Sequence, residues 1–143
     1  MKFTRHLTCL LAFALLLPAG AQAKDLHLYV DDGSDHVYLG CFSCSPYDSN
    51  SIWNEYGTYG SEYSSNSIWN EYGTYGSEYS NSSPWNEYSS SNPVLVDKDG
   101  GFYGYFTCNR YRSKRVDSNL MDFLCENRGY IKKHREKAYY KIF

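Results

Sequence analysis

Residues 49–64 have the sequence SNSIWNEYGTYGSEYS, and residues 65–80 repeat it. A shorter, degenerate copy, NSSPWNEY, occupies residues 81–88. The repeat segment, residues 49–88, is the most informative part of the chain, since it separates two stretches that have the alternation typical of β-strands.

Each unit of the repeat contains a serine that is placed to cap a short turn. The next position is Ile52, Ile68 or Pro84, and the fixed φ of proline favours the first position of a helical turn. Gly57 and Gly60, which recur in the second copy, prevent a continuous helix. We therefore predict that each unit is a single turn followed by a tight loop.

Aromatic residues dominate the repeat segment, where the only aliphatic residues of the Val, Leu and Ile type are Ile52 and Ile68. A small domain must bury apolar surface to offset chain entropy, so we expect the aromatic rings to turn toward the sheet and form the core. Trp53, Trp69 and Trp85 are predicted to be equivalent anchors that face the sheet. The alternative is an exposed aromatic platform for a sugar or a protein partner.

The segments on both sides of the repeat predict β-hairpins. Residues 26–30 and 37–40 flank an Asp-rich turn, and residues 93–96 and 102–107 flank Asp-Lys-Asp-Gly-Gly. Residues 119–127 then have the apolar side of a helix. The sequence thus predicts an α+β fold with a small antiparallel sheet of two hairpins, 16-residue turn or short-helix repeats between them, and one C-terminal helix.

The N-terminal segment, residues 1–23, has the three parts of a Sec-type signal peptide: a basic start, an apolar run at residues 7–17 and a small-residue cleavage site that ends at Ala23. An uncleaved N-terminal anchor is the alternative. We expect residues 24–143 to form a single small domain that is periplasmic or secreted, with no transmembrane segment after cleavage.

Charge is distributed unevenly after the cleavage site. Residues 24–108 contain twelve acidic and two basic residues, whereas residues 109–143 contain ten basic and four acidic residues. The basic C-terminal tail, residues 128–143, is therefore expected to be solvated or to dock on the acidic part of the same chain. The alternative is contact with anionic lipid, cell-wall polymer or nucleic acid, and we expect no specific nucleic-acid binding.

Four cysteines follow the signal peptide: Cys41, Cys44, Cys108 and Cys125. An even number in a small exported chain predicts disulfides, and proximity in sequence favours the pairs 41–44 and 108–125 among three connectivities. Cys41 and Cys44 also have the spacing of a thiol-redox motif or of half a zinc site.

The titratable residues form no recognisable catalytic motif. Hairpin turns account for the acidic clusters at residues 31–35 and 97–99, and the second cluster lacks the bidentate glutamate of a calcium loop. The histidines His27, His36 and His134 have no serine or cysteine partner motif. The glutamates Glu55, Glu71 and Glu87 recur because the repeat was duplicated, which does not by itself indicate catalysis. We expect no catalytic residue, no metal and no cofactor.

The repeat resembles a family of small exported bacterial proteins or domains without an assigned activity, whose members carry tandem Ser-Ile-aromatic-Asn-x-Tyr-Gly-x-Tyr-Gly-Ser-x-Tyr-Ser units. The matching segments are residues 51–64, 67–80 and 83–86, and the hairpin at residues 93–104 also fits. The resemblance covers roughly residues 38–109. It implies no catalytic residue.

Two classes of function follow. The first is an exported, non-enzymatic structural or binding module, in which the repeat is mainly a scaffold and the partner is a cell-envelope polymer or a protein. The alternative is a small secreted hydrolase or thiol-redox protein that uses Cys41 and Cys44 or the acidic clusters.

The signal-peptide prediction is tested by the mass of the exported protein. We expect cleavage after Ala23, which makes Lys24 the first residue. Intact-mass and N-terminal peptide mass spectrometry of protein recovered from outside the cytoplasm check this, and a chain that keeps Met1 would contradict it.

Overall fold

The computed structural model describes residues 24–143, so the predicted signal peptide lies outside the described residues. Its elements are four strands and three helices: β1 (Leu26–Asp31), β2 (His36–Cys41), β3 (Val94–Asp97), β4 (Phe102–Tyr105), α1 (Ser118–Glu126), α2 (Arg128–Lys133) and α3 (Arg135–Ile142). The predicted fold class, α+β with two hairpins, is confirmed. None of these helices combines the length and the apolar character that crossing a membrane requires.

The four strands form one antiparallel sheet in the order β2-β1-β3-β4, so the two hairpins pair through their first strands. Leu28 lies opposite Gly40 on one side and Leu95 on the other. The buried side chains of β1 alternate, with Leu28 and Val30 inside, because successive residues of a strand point to opposite faces. This face joins the core through Leu39 and Leu95.

The repeat segment stacks as three turns of chain, which we call rungs 1, 2 and 3 after the tryptophan that each carries: Trp53, Trp69 and Trp85. The indole N–H of Trp69 donates to the carbonyl oxygen of Ile52 at 2.6 Å, and that of Trp85 donates to Ile68 in the same way. Neighbouring indole rings lie 5.9 and 5.3 Å apart, centre to centre. The tryptophans therefore attach each rung to the rung before it.

Serine and asparagine side chains shape every rung identically. In rung 2, Ser67 Oγ accepts from the amide of Trp69, and Asn70 Nδ2 donates to the carbonyl oxygen of Ser64 at 3.1 Å. These bonds satisfy backbone groups inside a segment that has no regular strand or helix. The predicted turns are thus present, and they close through side chains that recur in each copy.

Two glycines permit this tight path. A side chain at Gly60 would collide with the backbone carbonyl of Asn54, and one at Gly76 would collide with that of Asn70. Only a residue without a Cβ fits where two backbone segments approach each other so closely.

A disulfide lies at each end of the stack, so the predicted disulfide bonding is confirmed. Cys41 is bonded to Cys44 just before rung 1, and Cys108 is bonded to Cys125 of α1. At the far end the amide of Cys108 donates to the carbonyl oxygen of Pro84 at 2.7 Å. The disulfides thus crosslink the segments that border the stack, and neither includes a residue of the repeat itself.

The C-terminal region contains three helices instead of one. Asp117 caps α1 by accepting from the amide of Leu120 at 3.0 Å. The tail that follows is also helical, because Ile131 of α2 and Ala138 of α3 are buried in the core. Because this packing involves residues far apart in the chain, the local pattern of the short, charge-rich tail does not predict its helices.

The tryptophan contacts predict a large effect of truncation. Trp69→Ala should lower the free energy of unfolding by about 3–5 kcal/mol, since the ring is 2% exposed and joins two rungs. Tyr72→Ala, a matched change at a ring that is 91% exposed in the same rung, should change it by less than about 0.5 kcal/mol. Denaturant unfolding measures both changes. Equal destabilisation by the two variants would contradict the role of Trp69 in joining neighbouring rungs.

Candidate functional site

Most tyrosines of the repeat are exposed, which corrects the expectation that the repeat aromatics form the core. Two columns at the 16-residue period run along the stack, and their rings are 76–91% exposed. Column A contains Tyr47, Tyr63 and Tyr79, and column B contains Tyr56, Tyr72 and Tyr88. The expectation is wrong for these six rings because the tryptophans and isoleucines already fill the interior.

The three tryptophans are buried, at 1%, 2% and 5% exposure. The aromatic contacts of Trp53 and Trp85 are with Phe42 and Phe106, which follow β2 and β4, and Trp53 also meets Tyr139 of α3. The rings therefore lie between the ends of the strands and the C-terminal helices.

A trough lies between the two tyrosine columns, with the tryptophans at its floor. A glutamate precedes most of the column tyrosines: Glu55, Glu62, Glu71, Glu78 and Glu87. A side-chain hydrogen bond to the preceding glutamate raises the pKa of Tyr56, Tyr63 and Tyr79. Both walls of the trough thus present phenol rings and carboxylates to solvent.

Helices α2 and α3 lie in the trough and place one cation at each rung. Arg135 Nη2 is 3.7 Å from Glu55 in rung 1. Lys132 Nζ lies between the two walls at rung 2, 3.4 Å from Glu71 and 3.8 Å from Glu62. Arg128 Nη2 is 3.9 Å from Glu78 near rung 3. Of the expected arrangements of the tail, docking on the acidic part of the same chain is the one observed.

The spacing of these cations matches the spacing of the rungs. Positions 128 and 132 lie on one face of α2, about one turn apart, and a helical turn rises about 5.4 Å. Arg135 follows three positions later as the first residue of α3. The indole rings of neighbouring rungs are 5.3–5.9 Å apart. The tail therefore runs antiparallel to the order of the rungs and in register with them.

Arg135 is the most enclosed of the three cations, since its side chain is 5% exposed. Its Nη1 donates to the carbonyl oxygen of Lys132 at 2.6 Å. Burial lowers the pKa of Arg135, and the nearby carboxylates of Glu55 and Glu62 oppose that shift. The ion pair with Glu55 compensates for part of the cost of this burial.

Open cavities remain at the two outer rungs, one beside the start of α2 and one beside the junction of α2 and α3. One of 760 Å³ lies at rung 3, and its lining includes Tyr79, Trp85, Glu87 and Arg128. One of 530 Å³ lies at rung 1, where Tyr47, Trp53 and Tyr56 occupy the equivalent positions. The two cavities are thus repeats of one architecture, separated by the rung that Lys132 fills.

The remaining predicted sites contribute to structure. Cys41 and Cys44 are buried, and Asp25 is the one carboxylate of the described chain that approaches their sulfurs at metal-ligand spacing. A disulfide sulfur is not a thiolate, so this group lacks the ligands of a zinc site.

The acidic clusters serve their hairpin turns. Asp32 Oδ1 accepts from the amides of Ser34 and Asp35, and these bonds lower its pKa. Asp97 Oδ1 accepts from the amide of Gly101 at 2.9 Å, and this bond, with one from the Tyr103 hydroxyl, lowers its pKa. Both carboxylates are therefore occupied by turn contacts.

The three histidines of residues 24–143 have separate surroundings in the structure. His27 Nδ1 is 2.8 Å from the hydroxyl of Tyr38, His36 is exposed on β2, and His134 stacks on Tyr130 with ring centres 4.2 Å apart. None of them joins a cysteine, and they do not converge on one cavity.

The trough is not among the sequence-based predictions, although the chain contains two indications of it. Tyr47 lies 16 residues before Tyr63, so column A begins before the repeat that the letters define. The spacing of basic residues at 128, 132 and 135 was a second indication of the trough.

No family model, curated protein or solved structure matches this chain.

The ion pairs of rung 2 predict a pH effect. Lys132 is the largest cause of the lowered pKa of Glu71. The stability that this carboxylate contributes is therefore present above the unfolded glutamate pKa, about 4.3, and is lost as the pH falls through the lower native value. In Lys132→Met the pKa of Glu71 should rise toward its ordinary value.

Carboxyl titration by NMR measures this change. Lys133→Met is the matched control, because Lys133 is an exposed neighbour in the same helix and forms no ion pair with a described residue. An unchanged Glu71 pKa in Lys132→Met would contradict the assignment of Lys132 to rung 2.

Proposed function

We propose that this chain is an exported, non-enzymatic binding module, in which the stacked repeat is the scaffold and the two tyrosine columns are the contact surface. The observation that carries the proposal is the exposure of six tyrosines in two columns on either side of the trough. Extended patches of exposed aromatic rings are typical of interaction sites on folded proteins.

The rigidity of the scaffold supports this role. Each column tyrosine follows a glutamate or, for Tyr47, a proline in a turn that side-chain bonds close, and the tryptophan ladder fixes the distance between rungs. Tyrosine also has few rotatable bonds, so its ordering on binding costs little entropy. Such a surface fits a partner that has its own repeat, such as a cell-envelope polymer, or an extended protein segment.

Export is supported by the cysteines. Both disulfides are typical of proteins that fold in an oxidising compartment, and the N-terminal segment has the pattern of a Sec signal peptide. We therefore propose a periplasmic or secreted location. The resemblance to tandem-repeat exported proteins points in the same direction.

The placement of titratable groups favours binding over hydrolysis or thiol-redox chemistry. In the described chain the acidic clusters bind their own turns, and the histidines are far from one another in the fold. Cys41 is fully buried and is the last residue of strand β2, whereas reactive redox cysteines are accessible and commonly open a helix.

Removal of one tyrosine column tests the proposal. The triple variant Tyr56→Ser, Tyr72→Ser and Tyr88→Ser should melt like the wild type, because these rings are 84–91% exposed. It should lose most of the binding that the wild type shows to insoluble peptidoglycan or chitin in co-sedimentation. Loss of about tenfold or more in affinity is expected, since stacking rings are typical binding hot spots.

Phe102→Ser is the control, as Phe102 is 48% exposed on the second hairpin, away from the columns. Undiminished sedimentation of the triple variant would refute the role of column B. A wild type that sediments with neither polymer would exclude these polymers as partners.

A further inference from the structure

The cavity at rung 3 is a copy of the place where the chain holds its own lysine. Six of its lining residues are each 16 positions after a residue at rung 2: Glu78, Tyr79, Trp85, Asn86, Glu87 and Tyr88. Their rung 2 equivalents include Glu62 and Glu71, the two carboxylates that flank the ammonium group of Lys132. The repeat thus shows the same side chains once with a cation between the walls and once with an open cavity.

The cation available at rung 3 does not fill the equivalent position. Arg128 reaches only one wall, with Nη2 3.9 Å from Glu78, and its guanidinium lies over the Trp85 ring at 5.6 Å. Glu87, on the opposite wall, forms no ion pair with any residue of 24–143. A cavity of 760 Å³ separates the walls.

The lining of this cavity suits an alkylammonium group. The carboxylate of Glu87 supplies the opposite charge, and the faces of aromatic rings attract cations. Tyr79 and Tyr88 present apolar ring surface beside the carboxylates, which fits a methylene chain that leads to a charged end. Lys132 at rung 2 is an observed example of this chemistry in the equivalent setting.

We propose that the rung 3 cavity binds a primary ammonium group on an unbranched alkyl chain, as in a lysine side chain of a partner, between Glu78 and Glu87. This inference rests on the proposed binding function and names the chemical class that one end of the trough accepts. The Trp85 floor and the Tyr79 and Tyr88 walls hold the alkyl chain, and Glu87 supplies the charge that the chain leaves unpaired.

The probe is Nα-acetyl-lysine amide, titrated into the full mature chain and followed by NMR at the Trp85 indole and the backbone amide of Glu87. We expect saturable shifts confined to rung 3 and weaker binding as salt rises, since exposed charges are screened. The same compound acetylated on Nε should bind at least about tenfold more weakly, because it lacks the charge.

Two glutamate variants separate the empty position from the occupied one. Glu87→Gln should weaken binding by about tenfold. Glu71→Gln, the equivalent change at the rung that Lys132 fills, should leave the affinity within about twofold. Both variants should have the wild-type fold, because Glu71 and Glu87 are exposed.

A third arm identifies the source of the ammonium group. Tighter binding of the lysine amide than of 1,5-diaminopentane indicates a polypeptide, and the reverse indicates a free amine; either result supports the site. Equal binding of the Nε-acetylated probe, or an unchanged affinity in Glu87→Gln, would overturn it. Those results would leave the proposed function intact if the column B variant still lost polymer binding, so the two failures are distinguishable.

Discussion

Each rung of this protein is attached to the previous one by an indole N–H that donates to a backbone carbonyl. Trp69 donates to Ile52 and Trp85 to Ile68, each 17 residues earlier, and Trp53 of rung 1 makes a corresponding bond to Phe42, 11 residues earlier. The repeat has no ladder of backbone bonds like that of a sheet, and these side chains provide the connection in its place. A buried donor that loses its partner costs about 1–3 kcal/mol, so each bond also selects against slipped stacking.

The trough follows from the 17-residue offset that the bonds of Trp69 and Trp85 share. Since the rungs repeat at one spacing, the tyrosines and glutamates fall into columns, and the columns border a straight trough. A turn of α2 has nearly the same axial repeat, which lets Arg128 and Lys132 meet successive rungs, and Arg135 at the start of α3 meets rung 1. At the two ends of the stack the contacts are made by Phe42, which accepts from the Trp53 indole, and by Cys108, whose amide donates to Pro84.

Local patterns in the sequence were sufficient to predict the hairpins, the turns of the repeat, helix α1 and disulfide bonding. Strand alternation and turn residues act over a few positions, so a single chain reveals them. The exposure of the tyrosines could not be deduced in this way. Their core role was assumed because aliphatic residues are scarce, but Ile52, Ile68 and the tryptophans fill the interior by themselves. The tail helices depend on ion pairs and packing between distant segments, which no local pattern encodes.

The match between helical turn and rung has a consequence for how this chain could change its length. Duplication of one further 16-residue unit would extend the trough by one rung and add two glutamates without a basic residue to meet them. Restoring the balance would take three or four additional residues in the tail, about one helical turn, with a lysine or arginine on the inner face. The number of repeats and the length of the tail must therefore change together if each rung is to keep its basic residue. A copy gained in the repeat alone creates a new acidic, aromatic-walled position that is open to solvent.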